Sequence, residues 1–74
     1  MTITVKLFAT LREHRDKIMD LEVEAQVTPE QVCLMLGIPL EEVAITMVNG
    51  RSVNMNHPLM PSDVLALFPP VGGG

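Results

Sequence analysis

Aromatic side chains are almost absent from this sequence, which has no tryptophan, no tyrosine and only two phenylalanines. Apolar residues nevertheless make up 47% of the chain, so valine, leucine, isoleucine and methionine must build the core. The 74 residues suffice for one domain with a small core and leave no room for a separate catalytic domain. Any chemistry is therefore expected to be simple or shared with a partner.

Other absences narrow the class of protein. The single cysteine, Cys33, excludes a disulfide within the chain. Nine acidic residues against five basic ones give a formal charge of −4, and no basic run could neutralise a nucleic-acid backbone. No apolar run approaches the roughly 20 residues of a membrane span, and the N-terminus lacks the features of a signal peptide. We therefore expect a cytoplasmic protein that binds neither nucleic acid nor membrane.

Alternation of apolar and polar residues predicts two strands near the N-terminus. Ile3, Val5 and Leu7 alternate with polar residues, as in a strand with one buried face. The same alternation returns over residues 21–27, which are predicted as the second strand. The charged segment 9–17 between them is predicted to be a helical turn or loop that joins the two strands as a hairpin.

The strongest local signal is a helix start at residues 28–31, Thr-Pro-Glu-Gln, which offer an N-cap hydroxyl, a proline at the first helical position and a capping-box glutamine. Val32, Cys33 and Leu36 follow at helical spacing and share one face. Gly37 supplies the stop. A short helix of about two turns is predicted.

The second half of the chain predicts three further strands. The strands are residues 43–48, 51–53 and 64–68. A tight turn at Asn49-Gly50 joins the first two, and a loop over 54–63, with Leu59 inserted into the core, leads to the third. Pro69-Pro70 ends the last strand. The whole order predicts an α+β fold of the β-grasp (ubiquitin-like) type, a mixed sheet of four to five strands packed on one main helix. Residues 1–71 are predicted to form this domain, and residues 72–74 a flexible glycine tail.

Candidate sites inside the domain are few. Cys33 lies on the apolar helix face and has no histidine nearby in sequence, so a buried hydrophobe is expected and not a nucleophile. His14 and His57 lie in polar segments without further ligands at metal spacing, and no metal site is predicted. Asp63 precedes the last strand, where turn capping is the expected role and a charge contact to a partner is the alternative.

The C-terminus offers more, because three glycines end the chain, which average glycine usage would produce in roughly one of a few thousand sequences. A frayed end or a cloning scar would look the same. Here, however, the run follows a strand and the rigid Pro69-Pro70 step. Residues 71–74 can reach about 13 Å, and glycine fits narrow channels. The predicted working group is the carboxylate of Gly74, which ATP could activate as an acyl-adenylate and sulfide could convert to a thiocarboxylate.

Specific motifs make the chain similar to the MoaD/ThiS sulfur-carrier family over essentially its whole layout. They are residues 5–9 (Val-Lys-Leu-Phe-Ala), 11–13 (Leu-Arg-Glu), 48–50 (Val-Asn-Gly) and 63–73 (Asp-Val-Leu-Ala-Leu-Phe-Pro-Pro-Val-Gly-Gly). The last block and the start resemble the molybdopterin branch of the family. The third glycine departs from the family's usual ending of two.

The resemblance implies a carrier, not an enzyme, that serves as the small subunit of molybdopterin synthase. Gly74 would be adenylated and thiocarboxylated, Gly72 and Gly73 would thread into the partner enzymes, and Phe68, Pro69, Pro70 and Val71 would form a docking strip. The implied partners are an E1-like adenylating enzyme of the MoeB/ThiF type, a sulfur donor protein, and a molybdopterin synthase large subunit of the MoaE type or a thiazole synthase. No bound cofactor is implied, since the activating enzyme uses the ATP.

Two alternative functions stay open. The same chemistry could serve thiamine thiazole synthesis, another metabolite or a tungsten cofactor. A different class of function is a ubiquitin-like protein modifier or interaction module. Alternation favours a docking face in either case: if Leu65 and Leu67 point into the core, then Val64, Ala66 and Phe68 give the last strand an apolar outer face.

Overall fold

The structure is a computed structural model that describes residues 1–70. Its elements are β1 (Thr2–Leu7), a 3₁₀ turn (Ala9–Arg12), β2 (Ile18–Glu22), α1 (Pro29–Leu36), a second 3₁₀ turn (Leu40–Glu42), β3 (Ile45–Val48), β4 (Arg51–Ser52) and β5 (Val64–Phe68). The five strands form one mixed sheet in the order β2-β1-β5-β3-β4, in which only β1 and β5 are parallel. This confirms the predicted β-grasp roll. The predicted domain end at residue 71 and the glycine tail lie outside the described residues.

The core lies between one face of the sheet and α1. The side chains that are 0% exposed include Ile3, Val5 and Leu7 of β1, Leu65 and Leu67 of β5, Val32 and Cys33 of α1, and Leu59 of the long loop. The period-2 pattern of β1 therefore marked its buried face correctly, and Leu59 is the predicted plug. Within residues 1–70 no helix is both long and apolar enough to cross a membrane.

Helix α1 begins and ends as its sequence predicts. The Thr28 hydroxyl accepts a hydrogen bond from the Gln31 backbone N–H at 3.3 Å, and the Gln31 side chain accepts one from the Thr28 backbone N–H at 3.0 Å. Both bonds satisfy donors that a helix N-terminus leaves free. At the other end Gly37 adopts φ 70°, a left-handed conformation that glycine tolerates at a helix stop.

The second strand was predicted wrongly at 21–27, because β2 spans Ile18–Glu22. Its limits are set by its antiparallel partner, since Glu22 pairs with Thr2 at the very start of β1. Val23 still donates to the Met1 carbonyl at 2.8 Å, but beyond it β1 offers no residue to pair with. The chain then turns, with Gln26 at φ 63°. Val23 and Val27 are buried outside the strand, whereas Ala25 is exposed, so the alternation marked burial at only two of the three positions after Glu22.

The remaining elements follow the prediction with shorter ends. β3 begins at Ile45, two residues later than predicted, and β4 ends at Ser52. Asn49 and Gly50 both have positive φ, 52° and 83°, as the predicted tight turn requires. The charged segment 9–17 starts with one 3₁₀ turn, and β5 has the predicted limits.

Candidate functional site

Strand β5 is hydrogen-bonded to a neighbouring strand on each of its two sides. It pairs in parallel with β1, where Leu67 faces Leu7, and antiparallel with β3, where Phe68 faces Ile45. The Phe8 N–H donates to the Leu67 carbonyl at 3.2 Å, and the Ala44 N–H donates to the Phe68 carbonyl at 2.8 Å. Hydrogen bonding therefore continues to the final residue of β5.

An aromatic stack covers the outer face where β5 ends. The rings of Phe8 and Phe68 lie with their centroids 4.3 Å apart and their planes 12° from parallel. The guanidinium carbon of Arg12 lies 5.4 Å from the Phe8 centroid, in the arrangement of a cation–π contact. Arg12 is held there because its Nε donates to the Leu7 carbonyl at 2.8 Å. The only two phenylalanines of the chain thus form one surface feature.

Beside this stack lies an apolar hollow of about 430 Å³, which we call the tail-foot hollow. Its lining residues come from β1's end, the first 3₁₀ turn, β3 and β5: Phe8, Ala9, Thr10, Ile45, Phe68, Pro69 and Pro70. Ile45 is 44% exposed, although a large aliphatic side chain gains most by burial. An apolar hollow with exposed walls is what a protein partner would cover.

The structure brings together only part of the predicted docking strip. Phe68, Pro69 and Pro70 line one hollow, whereas Val71 and the glycines Gly72, Gly73 and Gly74 lie outside the described residues. The predicted faces of β5 are confirmed, with Leu65 and Leu67 buried and Val64, Ala66 and Phe68 half-buried on the outer face.

Two walls of the hollow, Phe8 and Ile45, were missed as site residues. A sequence signal for Phe8 existed, because it follows the strand pattern of β1 by one outward-facing position and is the only other phenylalanine. Ile45 could have been found by the same reasoning, as an outward-facing apolar residue at the start of β3. The sequence around Phe8 and Ile45 does not predict that both segments lie next to β5.

Asp63 has the predicted capping role, and its setting is more elaborate than a single turn. One carboxylate oxygen accepts from the Asn49 side-chain amide at 2.9 Å, and the other accepts from the Met60 backbone N–H at 2.8 Å. The Asn49 amide oxygen accepts in turn from the Val64 N–H at 2.9 Å. These bonds tie the β3–β4 turn to the start of β5, the end opposite the hollow.

The side chains with possible chemistry elsewhere are in unreactive or solvated positions. Cys33 is 0% exposed, and burial, with a smaller contribution from Glu30, raises the pKa of its thiol from 9.0 to about 11. The expectation of a buried hydrophobe is confirmed. His14 and His57 are exposed, and within residues 1–70 no cluster of three or more His, Cys, Asp or Glu side chains could hold a metal ion.

Taken together, the fold and the hollow define a ubiquitin-like β-grasp domain with an apolar surface beside the end of β5. The ThiS family model matches residues 5–74. The chain therefore belongs to the ThiS family. A search of the curated proteins finds no match to the chain.

Solved structures with the same fold cover nearly the whole chain. SAMP1 from Haloferax volcanii is 23% identical with a TM-score of 0.78, and 100% of each chain is covered. The putative molybdopterin converting factor subunit 1 from Pyrococcus furiosus is 24% identical with a TM-score of 0.73, covering 96% of this chain and 99% of that one. A chain from the complex of molybdopterin-converting factor subunits 1 and 2 of Helicobacter pylori is 22% identical with a TM-score of 0.68, with full coverage of both. At these identities the likeness shows the fold.

Proposed function

We propose that this chain is a sulfur carrier that acts as the small subunit of molybdopterin synthase, with the carboxylate of Gly74 as its carrier group. The observation that carries the proposal is the tail-foot hollow. Its apolar lining residues Phe8, Ile45 and Phe68 lie where β5 ends and Pro69-Pro70 follows. An exposed apolar surface beside a glycine tail suits a partner that grips the domain and receives the tail.

The chemistry needs no side chain of the carrier. The Gly74 carboxylate attacks the α-phosphorus of ATP in the active site of an E1-like adenylating enzyme, which forms an acyl-adenylate and releases pyrophosphate. Hydrosulfide from a sulfur donor protein then attacks the acyl carbon. The bond between this carbon and the phosphate oxygen breaks, and AMP leaves with that oxygen. The product is a thiocarboxylate plus a proton. Its sulfur is the nucleophile that would be delivered to a pterin precursor in the large subunit.

The rigid end of β5 gives this scheme its geometry. A tail of four residues reaches about 13 Å from its starting point, so that starting point has to be fixed against the partner. The hydrogen bonds of Phe8 and Ala44 to β5 fix it within the domain. Phe68, Pro69, Pro70 and Val71 then form the docking strip, and Gly72 and Gly73 form the inserted segment that ends in the Gly74 carboxylate.

The proposal is tested by intact-mass spectrometry. The chain is incubated with an E1-like adenylating enzyme, ATP and sulfide, and the expected result is the mass gain of one oxygen-to-sulfur exchange at the C-terminus. The matched control carries one added alanine after Gly74, which moves the carboxylate out of position and should prevent the gain. An unchanged mass with several adenylating enzymes of the MoeB/ThiF type would overturn the proposal.

The pathway is tested separately through the partner. The complex of subunits 1 and 2 from Helicobacter pylori, one chain of which shares this fold, supports a large subunit of the MoaE type as the partner. We expect such a subunit to co-purify with the intact chain and to be lost when the Gly74 carboxylate is blocked. Recovery of a thiazole synthase in its place would reassign the same chemistry to thiamine synthesis. Recovery of an enzyme of tungsten-cofactor or other metabolite synthesis would reassign it to that pathway.

A ubiquitin-like modifier is the second candidate function. The likeness to small archaeal modifier protein 1 from Haloferax volcanii, one of whose structures has a TM-score of 0.75 to this chain, favours it. A modifier joins its C-terminal carboxylate to lysine amines, so isopeptide conjugates should form in cells and carry a glycine remnant that peptide mass spectrometry detects. The chain with the added alanine should form none.

A further inference from the structure

Strand β2 has one edge that no other strand covers within residues 1–70. It is one of the two outermost strands of the sheet, the other being β4, and among the described residues it pairs only with β1. The Leu7 N–H donates to the Lys17 carbonyl and the Val23 N–H to the Met1 carbonyl, so the odd-numbered residues of β2 bond to β1. The backbone groups of Ile18, Asp20 and Glu22 consequently point to the open edge, where they can hydrogen-bond a further strand.

Two hollows lie beside this edge, between β2 and the C-terminal half of α1, and we call them together the groove. One hollow of about 500 Å³ is lined by Met19 of β2, Leu36 of α1 and the polar residues His14, Arg15 and Asp16. The second, also of about 500 Å³, is lined by Met1, Glu22, Val23, Glu24, Ala25, Val27 and Met35. Met35 is 55% exposed, and its thioether can adapt to an apolar side chain. Met19, Leu36 and Met35 therefore give each hollow an apolar wall beside polar ones.

The two faces of β2 differ in the side chains that an added strand would meet. Met19 and Leu21 point to the α1 side and are half-buried. Asp20 and Glu22 point to the outer face of the sheet and are exposed, where they accept hydrogen bonds from the Thr4 and Thr2 hydroxyls. Cross-strand neighbours on one face interact directly, and opposite charges favour pairing. The matching strand thus needs apolar residues toward α1 and basic residues on the outer face.

A second copy of this chain does not match that requirement. Antiparallel pairing of β2 with β2 of another copy, centred on Asp20, would place the two Asp20 carboxylates opposite each other. Centred on Leu21, it would place Asp20 opposite Glu22 twice. Like charges in these positions destabilise a strand pair. The acidic outer face selects against self-pairing and for a basic partner.

We propose that the open edge of β2 and its groove bind an extended peptide segment in which apolar and basic residues alternate. The segment adds a sixth strand to the sheet, sets its apolar side chains into the hollows beside Met19 and Met35, and pairs its basic side chains with Asp20 and Glu22. Main-chain bonds supply affinity and the alternating side chains supply specificity. This surface shares no lining residue with the tail-foot hollow, so it does not depend on the carrier function.

The test uses the full chain labelled with nitrogen-15 and a short synthetic peptide in which valine and arginine alternate. Binding should protect the amides of Ile18, Asp20 and Glu22 from hydrogen exchange, while those of Met19 and Leu21 are already protected by β1. A peptide that alternates valine and glutamate, and a peptide with the valines and arginines in separate blocks, serve as controls and should not protect these amides.

A charge-reversal variant tests the outer-face pairing. Asp20→Lys with Glu22→Lys should weaken binding of the valine–arginine peptide about fivefold or more, from two lost charge pairs. Glu41→Lys with Glu42→Lys makes the same change in net charge on the exposed turn before β3, and should leave the affinity unchanged. The proposal fails if both variants weaken binding equally, if the even-numbered amides gain no protection up to millimolar peptide, or if the peptide perturbs Phe8 and Ile45 instead.

Discussion

Neighbouring side chains of β5 lie in opposite environments although both sets are apolar. Leu65 and Leu67 are 0% exposed beneath α1, whereas Val64, Ala66 and Phe68 are only half-buried on the outer face of the sheet. β1 lies next to β5 but is apolar on its inner face only, because its outward residues Thr2, Thr4 and Lys6 are polar. Of these two strands, only β5 therefore has an apolar outer face.

The difference between the two faces separates what folding needs from what function needs. The inner face gains its stability by removing aliphatic surface from water, which is sufficient reason for its composition. The outer face gains little in the isolated domain, since Ile45 beside Phe68 stays 44% exposed. Its apolar character is explained if a partner completes its burial. Changes on the inner face should thus lower stability, and changes on the outer face should lower partner binding.

Leu67→Ala should have the largest effect on stability. The side chain is 0% exposed and lies in the core between sheet and helix. Truncation of such a leucine removes buried surface and leaves a cavity, and we expect the free energy of unfolding to fall by about 2–5 kcal/mol. Urea denaturation followed by circular dichroism measures it. If Leu67→Ala lowered the free energy of unfolding by less than Ile45→Ala does, the distinction between the two faces would be wrong.

The buried thiol of Cys33 should make stability depend on alkaline pH. Its pKa is raised from 9.0 to about 11, mainly by burial, so the folded state holds the proton more tightly than the unfolded state. Stability from this group is therefore complete below about pH 9 and is lost as pH rises through about 11. The loss should be of the order of 2 kcal/mol. The difference in unfolding free energy between the wild type and Cys33→Ala, measured from neutral to alkaline pH, isolates it; a constant difference would contradict the prediction.

Asp63→Ala tests the polar tie at the start of β5. The substitution leaves the Asn49 amide and the Met60 N–H without their acceptor, and Asp63 is only 9% exposed. We expect a loss of about 1–3 kcal/mol in the free energy of unfolding. The control Asp20→Ala also removes a carboxylate that accepts a hydrogen bond, but an exposed one, and should change stability by less than about 0.5 kcal/mol. Equal losses would show that the buried tie is unimportant.

Ile45→Ala should have the smallest effect on stability and a clear one on partner binding. Ile45 is 44% exposed, so less than about 1 kcal/mol of unfolding free energy should be lost. Affinity for the adenylating enzyme or the large subunit, measured by calorimetry, should fall about fivefold or more, as at a central interface residue. Leu34→Ala is the matched control, since Leu34 is 68% exposed on α1 and does not line the hollow. Equal binding by both variants would place the docking surface elsewhere.

Elements with local determinants could be predicted from the sequence. Helix α1 carries its own start and stop in Thr28, Gln31 and Gly37, whose interactions span only a few residues. β5 was predicted with correct limits because an uninterrupted apolar run follows Asp63 and Pro69-Pro70 ends it. β2 was not, because its length depends on where β1 begins, and that information lies some twenty residues away in the pairing of Thr2 with Glu22.

The candidate site shows the same division. Phe68, Pro69 and Pro70 were predicted as a docking strip because they are consecutive and carry the family motif. Phe8 and Ile45 joined them only through the parallel pairing of β1 with β5 and the antiparallel pairing of β3 with β5. No periodicity in the segments around Phe8 and Ile45 encodes which strand becomes their neighbour.

By itself, the sequence determined the class of fold, the buried face of β1, the helix with its caps, and the glycine ending that marks the family. Only the tertiary structure decided the strand order, the stack of Phe8 on Phe68, the hollow beside it and the open edge of β2. The physical reason is the range of the interactions. Capping, turns and burial patterns depend on residues close in the chain, whereas strand pairing depends on closing long loops and on the packing of the whole core.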